Sequence, residues 1–268
     1  MLTDVDGTKL WWDEGGEGEP LLLIQGLGFS GAMWFRLLPA LEARHRVIRY
    51  DARGIGRSDV APGPYTIDLM AADAVAILDA AGAPTAHVFG CSLGGIVAQE
   101  VALSHADRVR SLTLCCTHPA GPDAVWPDPS VMDMLRSRAT LPVEEAARAS
   151  IDVGYSAATP RDRIEEDISM RLEIPTSAEG YQNQLLAGLG YPGTLSRLHQ
   201  IAVPTLVITG DADQMVPPAN SDILAGAIAD ARKIVISGAG HVVFTDAPEA
   251  VSRAMVEFLE GVTSDAGS

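Results

Sequence analysis

The chain carries six short apolar runs, bounded by glycine and aspartate, at Leu21–Ile24, Arg46–Tyr50, Ala86–Gly90, Ser111–Cys115, Pro204–Thr209 and Lys233–Ile236. Runs of this kind are typical of strands that are buried on both faces of a parallel sheet. Helical patterns over Ile67–Ala81 and Leu93–Leu103 lie between them, which predicts repeated strand–helix–strand units. Met1–Asp13 fits a hairpin at one edge. The sequence therefore predicts an α/β fold with a mostly parallel, twisted sheet flanked by helices.

The pattern changes between Pro119 and Ile201, where strand signals are absent from the sequence. Helical stretches take their place, at Ser130–Ser137, Val143–Ile151, Arg161–Leu172 and Ala178–Leu189. Roughly eighty residues of this kind are too many for a loop. We therefore predict that residues 119–201 form an inserted helical lid, or cap, on a core made of residues 1–118 and 202–268. The small, polar segment Val262–Ser268 is expected to fray.

Charge and cysteine content restrict the partners and the location of the protein. With 35 acidic and 19 basic residues, the chain has a formal charge of −16, so we expect no nucleic-acid partner and no membrane partner. Its three cysteines, two of them adjacent, predict neither a disulfide framework nor a metal site. The acidic first residues, and the lack of an apolar run of about 18 residues, predict a cytoplasmic protein. The oligomeric state stays open, with a homodimer among the options.

The segment Gly90-Cys91-Ser92-Leu93-Gly94 directly follows a predicted strand and precedes a predicted helix. A G-x-S-x-G sequence in that position forms a sharp turn that exposes the serine hydroxyl at the end of the sheet. Ser92 is therefore the candidate nucleophile. Cys91 is a chemical rival, but the same turn directs its side chain away from the site. The structural alternative is a buried serine in a tight turn, with no catalytic role.

A serine nucleophile needs a base, and His241 is the best placed of the six histidines. It follows the predicted strand Lys233–Ile236 within a glycine-flanked turn, so we expect it at the same edge of the sheet as Ser92. The imidazole in turn needs an acid that fixes its tautomer. Asp211 and Asp213 compete for this role, and Asp213 is preferred because it lies farther out on its loop, whereas Asp211 could cap the turn.

Two backbone N–H groups are expected to stabilise the oxyanion that forms when the hydroxyl attacks a carbonyl. One is that of Leu93, at the start of the helix after the elbow, where the helix dipole assists. The other is that of Leu27, in the loop Gln25-Gly26-Leu27-Gly28 after the first core strand. Gly26 is expected to contact the substrate, because glycine lets the backbone approach it closely.

Together these segments resemble the α/β-hydrolase superfamily over the full length of the chain. The resemblance extends to Asp51–Ser58, Gly210–Pro217, and Gly240-His241 with Pro248-Glu249 downstream. Tyr50–Ser58 and Pro62–Thr66 look most like the enol-lactonase branch and its esterase relatives. The resemblance implies the α/β-hydrolase fold, the chain order serine, aspartate, histidine for the triad, and a reaction without metal or organic cofactor.

One position departs from the superfamily pattern. The loop before the oxyanion site usually begins with His-Gly, and this chain has Gln25-Gly26 instead. The family's histidine supports the loop and does not take part in the chemistry. We expect the Gln25 amide to offer a hydrogen bond in its place.

The expected reaction is the hydrolysis of a small or medium, apolar, uncharged ester or lactone by acyl transfer to water. Ser92 attacks the carbonyl, His241 acts as general base and then general acid, and Asp213 orients the imidazole. Relatives that cleave carbon–carbon bonds, and cofactor-free haloperoxidase-like members, share this triad and remain alternatives. A catalytically silent, ligand-binding protein of the same fold is an alternative of another class.

Several side chains are candidates for the wall of the substrate pocket. Trp126 and Met215 are expected to contact the substrate, with His118 as a secondary candidate. Arg53 and Arg57 are the cations near the motif loops, and we expect them to hold structure. Other apolar side chains of the predicted cap could also line the pocket, namely Met132, Met134, Leu135, Met170, Tyr181, Leu185 and Leu186.

A dinucleotide-binding protein is the remaining alternative. Gly26-Leu-Gly28-Phe-Ser-Gly31 is a literal G-x-G-x-x-G sequence after a predicted strand, and Asp51 ends the next strand. Leu27 and Phe29 are bulky for such a loop, and this hypothesis leaves the elbow, the aspartate and the histidine unexplained.

Overall fold

The computed structural model describes residues 1–265, which contain eight strands in one sheet. The strands are β1 (Leu2–Val5), β2 (Thr8–Gly15), β3 (Glu19–Ile24), β4 (His45–Tyr50), β5 (Ala86–Cys91), β6 (Val109–Cys115), β7 (Thr205–Gly210) and β8 (Ala231–Ile236). Their order is β1-β2-β4-β3-β5-β6-β7-β8. The β1–β2 and β2–β4 pairs are antiparallel and the other pairs are parallel. The predicted sheet and its edge hairpin are confirmed.

Helices connect these strands and cover both faces of the sheet. They are α1 (Leu38–Glu42), α2 (Ile67–Ala80), α3 (Leu93–Ser104), α4 (Pro129–Ser137), α5 (Val143–Arg148), α6 (Ile151–Gly154), α7 (Arg161–Glu173), α8 (Ala178–Gly190), α9 (Ala219–Ala227), α10 (Val243–Asp246) and α11 (Pro248–Asp265). Short 3-10 helices occupy Gly31–Trp34, Ala106–Arg108, Gly121–Asp123, Arg138–Thr140 and Leu195–Gln200.

The core lies on both sides of the sheet, as the apolar strand runs predict. In β3, Leu22 and Ile24 join the apolar cluster beneath α2 and α3, whereas Leu21 and Leu23 join the cluster that includes α11. This alternation follows from the two-residue period of a strand, and it makes both faces of β3 apolar. β8 is an exception, because it is an edge strand and its Val235 side chain is 46% exposed.

Residues 116–204, all of which the structure describes, contain helices and no strand. Three of the four predicted helical stretches correspond to α4, α7 and α8, while the prediction of one helix over Val143–Ile151 is wrong. Two helices, α5 and α6, occupy that stretch, and the chain breaks between them at Ser150, whose φ of −101° and ψ of 9° are not helical. The division of the chain into a core and a cap at 119–201 stays a prediction.

The C-terminal helix α11 extends into a segment that the sequence predicts to fray. Residues 262–268 were expected to fray, but α11 continues to Asp265, so this expectation is wrong for residues 262–265. Residues 266–268 lie outside the described residues. Within the described chain, none of the helices combines the length and the apolar character that crossing a bilayer requires.

Candidate active site

Ser92 lies at the sharp turn between β5 and α3. Its φ of 54° and ψ of −122° are unusual for a residue with a side chain, so the turn is held by its surroundings. A Cβ atom on Gly90 would come within 2.2 Å of the Gly94 carbonyl oxygen, and one on Gly94 within 2.3 Å of the Ile24 carbonyl oxygen. The two glycines therefore allow the close backbone approach that brings the Ser92 hydroxyl to the end of the sheet.

The structure brings the three predicted triad residues together. The Ser92 Oγ atom lies 3.0 Å from His241 Nε2, and His241 Nδ1 lies 2.9 Å from Asp213 Oδ2. These distances are within hydrogen-bonding range, so proton transfer from the hydroxyl to the imidazole needs no rearrangement. The imidazole hydrogen-bonds to Ser92 and not to the adjacent Cys91, which ends β5 and is buried.

The loop after β7 distinguishes the two competing aspartates. Asp213 Oδ1 accepts hydrogen bonds from the N–H groups of Met215 at 2.9 Å and Val216 at 2.8 Å. These contacts fix the carboxylate so that its other oxygen faces the imidazole. Asp211 instead accepts the Gly238 N–H at 2.6 Å, which ties the loop after β7 to the turn after β8. Asp211 therefore has the turn-capping role that the sequence analysis considered for it.

The electrostatic setting of His241 suits a general base that becomes charged during the reaction. Burial by itself lowers the pKa of His241, but the charge of Asp213 and its hydrogen bond outweigh burial and raise the pKa above the usual 6.5. The imidazolium is therefore stabilised at the step in which it must form.

Cys116 completes a group of three buried residues that could in principle hold a metal ion. Its Sγ atom and ligand atoms of Asp213 and His241 all lie within 4.8 Å of one another. A hydrogen bond with Cys115 lowers the pKa of the Cys116 thiol, but burial and the Asp213 carboxylate raise it to about 11. Because metal binding needs a thiolate, and the other two residues already bond to each other, this group fits a triad better than a metal centre.

The predicted oxyanion site lies beside the nucleophile. A Cβ atom on Gly26 would lie 3.0 Å from the Ser92 Cβ atom, so the loop after β3 passes directly over the elbow. The N–H groups of Leu27 and Leu93 donate to no acceptor within residues 1–265. Leu93 is also the first residue of the twelve-residue helix α3, whose dipole favours negative charge at that end.

Hydrogen bonds from both sides hold the oxyanion loop in shape. Gln25 Oε1 accepts the Gly26 N–H at 2.9 Å, which is the expected amide contact, while the buried Gln25 Nε2 atom has no partner within the described chain. Gln184 in α8 accepts the Gly28 N–H and donates to the Arg53 carbonyl oxygen, both at 3.3 Å. Gln184 could not be identified from the sequence, because helical spacing alone does not show which residue reaches a distant loop.

A cavity of about 100 Å³ opens onto Ser92 and His241. Gly26, Trp126 and Met215, which were expected to contact the substrate, all line it. Of the other apolar candidates, three line it (Met132, Leu135 and Leu185), and four do not (Met134, Met170, Tyr181 and Leu186). Expecting these four at the pocket was wrong, because an apolar residue on a helix can equally face a neighbouring element or solvent, as Leu186 does with 57% exposure.

His118 presents one polar group to this mostly apolar cavity. Burial and the nearby His241 lower the pKa of His118 to about 4, so its ring is neutral at physiological pH. The Ala120 N–H donates to His118 Nδ1 at 3.0 Å, which leaves the proton of the neutral ring on Nε2. The ring also packs against Trp126, with 5.1 Å between ring centroids. His118, a secondary candidate in the sequence, is thus an N–H donor in the wall.

Three arginines near the site differ in role. Arg53 pairs with Asp73 through two contacts of 2.5 Å, and Arg57 pairs with Asp51, so both hold structure as predicted. Arg138 lines the cavity itself and was not among the candidate site residues in the sequence. Its position depends on how the chain turns after α4, for which the sequence carries no signal.

The geometry gives no support to dinucleotide binding. A Cβ atom on Gly31 would lie 2.9 Å from the Tyr50 carbonyl oxygen, so this glycine serves close packing. The loop leads into the four-residue 3-10 helix Gly31–Trp34, not into a long helix whose N-terminus could bind a pyrophosphate.

The fold and site together are those of an α/β hydrolase. The sequence profile of the alpha/beta hydrolase fold family matches residues 19–248, and the chain belongs to this family. A protein of Azorhizobium caulinodans, provisionally named carbamate hydrolase RutD, is 32% identical over 256 residues, which cover 93% of this chain and 94% of that protein.

Two further comparisons agree on the fold. A protein of Mycobacterium tuberculosis, provisionally named non-heme bromoperoxidase BpoC, is 33% identical over 262 residues, which cover 95% of this chain and 98% of that protein. The solved structure of the enol-lactonase from Burkholderia xenovorans LB400 is 29% identical, with a TM-score of 0.86 over 97% of this chain and 100% of that chain. The predicted fold class and superfamily are therefore confirmed.

Proposed function

We propose that this protein hydrolyses a carboxylic ester or lactone through an acyl-enzyme intermediate on Ser92. The observation that carries the proposal is the contact series Ser92–His241–Asp213, at 3.0 and 2.9 Å, beside two N–H groups that have no acceptor among the described residues. Ser92 Oγ attacks the carbonyl carbon as His241 takes its proton, and the N–H groups of Leu27 and Leu93 stabilise the oxyanion. His241 then protonates the leaving alkoxide, and water attacks the acyl group by the same route.

The size and lining of the cavity favour a small substrate. A cavity of about 150 Å³ is known to hold a benzene ring, so about 100 Å³ suits a short acyl chain or a small lactone ring. Most of its lining is apolar, and His118 offers an N–H donor to an ester oxygen. The relative named as a carbamate hydrolase supports testing carbamates as well, because their carbonyl carbon is open to the same attack.

The test is a series of p-nitrophenyl esters of increasing acyl length, measured beside a panel of lactones and carbamates. We expect the wild type to favour short acyl chains and Ser92→Ala to lose on the order of 10³-fold or more in kcat. Cys91→Ala is the matched control for a neighbouring nucleophile. A fluorophosphonate probe should label the wild type and Cys91→Ala but not Ser92→Ala. Absence of labelling and of turnover in the wild type would favour a silent binding protein.

Two other reactions use the same triad, and the relative named as a bromoperoxidase favours testing one of them. The assays therefore include peroxide-dependent bromination and a substrate with a cleavable carbon–carbon bond. If either reaction proceeds with a higher kcat/KM than every ester, lactone and carbamate, it replaces the proposal. The cytoplasmic location, the lack of nucleic-acid and membrane partners, and the oligomeric state stay predictions from composition.

A further inference from the structure

A second cavity, of about 70 Å³, lies next to the oxyanion loop. Gly26 and Leu27 line the first cavity, whereas Gly28 and Ser30 line the second, so the loop separates the two. Arg138 lines both cavities. The second cavity therefore has a charged side chain in common with the candidate active site.

Two buried arginines face each other across a shared acceptor at this cavity. Arg138 and Arg171 are only 6% and 9% exposed, and both line the cavity. Arg138 Nε donates to the Ala146 carbonyl oxygen at 3.1 Å, and an Arg171 N–H points at the same oxygen at 3.5 Å. Arg171 also donates to the Ala147 carbonyl oxygen at 2.5 Å.

Neither guanidinium has a carboxylate within 4.0 Å in the described part of the chain. This is unusual for a buried arginine, because an unpaired buried charge is costly. The buried Arg53 shows the ordinary arrangement, with both oxygens of Asp73 at 2.5 Å. The contrast is sharper because the chain carries 35 acidic residues, none of which pairs with Arg138 or Arg171 within residues 1–265.

Neighbouring groups offset the two charges only in part. The Arg138 guanidinium lies 4.8 Å from the centre of the Tyr181 ring, and that of Arg171 lies 4.8 Å from the centre of the Phe29 ring. Burial and the adjacent Arg138 lower the pKa of Arg171 to about 10, so it is still protonated at neutral pH. The N-terminus of the thirteen-residue helix α8 also borders the cavity and adds positive potential.

We propose that Arg138 and Arg171 form a binding site for a small carboxylate group in this second cavity. Two guanidinium groups can bind a carboxylate through several charge-assisted hydrogen bonds, which supplies the direct ion pair that no carboxylate within residues 1–265 makes with either arginine. Asp167 pairs with Arg36 and acts on Arg171 only through its longer-range charge. The volume of about 70 Å³ admits a group of this size and excludes a second large substrate. The carboxylate can come from a free anion or from the far end of the substrate, because Arg138 reaches both cavities.

Contacts around the site connect it to the oxyanion loop. The Thr176 hydroxyl, at the edge of the second cavity, donates to the Gly28 carbonyl oxygen at 2.9 Å. Phe29, whose ring contacts Arg171, lines the first cavity. A carboxylate bound between the arginines therefore lies beside groups that contact Gly28 and Phe29, the two residues directly after Leu27, so binding can influence turnover.

The direct test is calorimetric titration of the wild type with succinate, which needs no ester hydrolysis and so does not depend on the proposed function. We expect one succinate to bind per chain, and binding to weaken by about tenfold or more in Arg171→Met and in Arg138→Met. Arg253→Met, which removes an exposed arginine elsewhere, is the matched control and should bind as the wild type does. Circular dichroism checks that each variant is folded.

The second test identifies the source of the carboxylate and rests on the proposed function. It compares the kcat/KM of mono-p-nitrophenyl succinate with that of p-nitrophenyl acetate. If the substrate carries the group, this ratio falls at least tenfold in Arg171→Met and is kept in Arg253→Met. If the group is a free anion, added succinate changes acetate ester turnover in the wild type and Arg253→Met but not in Arg171→Met. Absence of succinate binding to the wild type, or binding undiminished in both variants, would overturn the proposal.

Discussion

Asp246 accepts a hydrogen bond from the N–H group of Gly240 at 2.6 Å, immediately before His241 in the chain. The same carboxylate accepts the Ser156 N–H at 3.0 Å and the Thr159 hydroxyl at 2.5 Å. One half-buried acidic side chain thus joins the turn that carries the candidate base to the helical segment between β6 and β7.

Replacing this carboxylate should disturb both stability and catalysis. Asp246→Ala leaves three donors without their acceptor, and we expect the free energy of unfolding to fall by about 3 kcal/mol. The kcat of ester hydrolysis should fall too, because the turn that holds His241 loosens. Urea unfolding and steady-state kinetics measure the two effects. Asp222→Ala removes an exposed partner of Lys233 and should change stability by less than about 1 kcal/mol. If Asp222→Ala destabilised the protein as much as Asp246→Ala does, the stabilising role given to Asp246 would be contradicted.

The two aspartates after β7 should differ sharply in their effect on turnover. Asp213→Asn removes the group that fixes the His241 tautomer, and we expect kcat to fall by about 10⁴-fold. Asp211→Asn changes a turn contact more distant from the hydroxyl and should cost far less. Steady-state kinetics on the best p-nitrophenyl ester makes the comparison, and the reverse ranking would show that the acid has been misassigned.

The pH dependence of kcat/KM should reflect the raised pKa of His241. The base must be neutral to accept the Ser92 proton, so kcat/KM rises with pH as His241 loses its proton. Because Asp213 raises this pKa above 6.5, we expect the half-maximal rate at a pH above 6.5. His118, whose pKa is about 4, stays neutral over this range and does not contribute to the rise. A half-maximal rate below pH 6 would contradict this assignment.

Two glycine substitutions should show whether a glycine is needed for close packing or only tolerated at its position. Gly94→Ala brings a Cβ atom to 2.3 Å from the Ile24 carbonyl oxygen, and we expect a loss of at least about 3 kcal/mol or no soluble protein. Gly226→Ala in α9 places a Cβ atom that meets no atom of residues 1–265 within 4 Å, and it should stabilise the protein by up to about 1 kcal/mol. Thermal unfolding compares the two, and similar melting temperatures would show that the elbow tolerates a side chain.

The sheet, and the meeting of Ser92, His241 and Asp213 at its edge, could be predicted from the sequence because both depend on local patterns. Short apolar runs mark strands such as β5 and β7, whose residues are all buried. The motif around Ser92 specifies a turn that positions a hydroxyl, and His241 and Asp213 each follow a strand that ends at the same edge. Since parallel strands end together, residues far apart in sequence become neighbours.

Features that depend on the helices between β6 and β7 could not be predicted in the same way. Helical spacing indicates an apolar face but not its neighbour, so Met132 lines the cavity while the half-buried Met170 packs against the core. The break at Ser150 has no strong helix-ending residue to announce it. Arg138 and Arg171 lie 33 residues apart in the sequence, and only the tertiary arrangement brings them together.

The contact between Val242 and Gly154, with a 2.8 Å hydrogen bond from the N–H group to the carbonyl oxygen, has a consequence for substrate exchange. Together with the contacts of Asp246, it holds the turn that carries His241, the candidate base, against the helical segment between β6 and β7. If those helices opened together as a rigid body, they would pull the His241 imidazole away from Ser92 and break the hydrogen bond between them. Substrate and product therefore need a narrower opening to the cavity. Trp126, which lines the cavity and is 38% exposed, lies where such an opening can form.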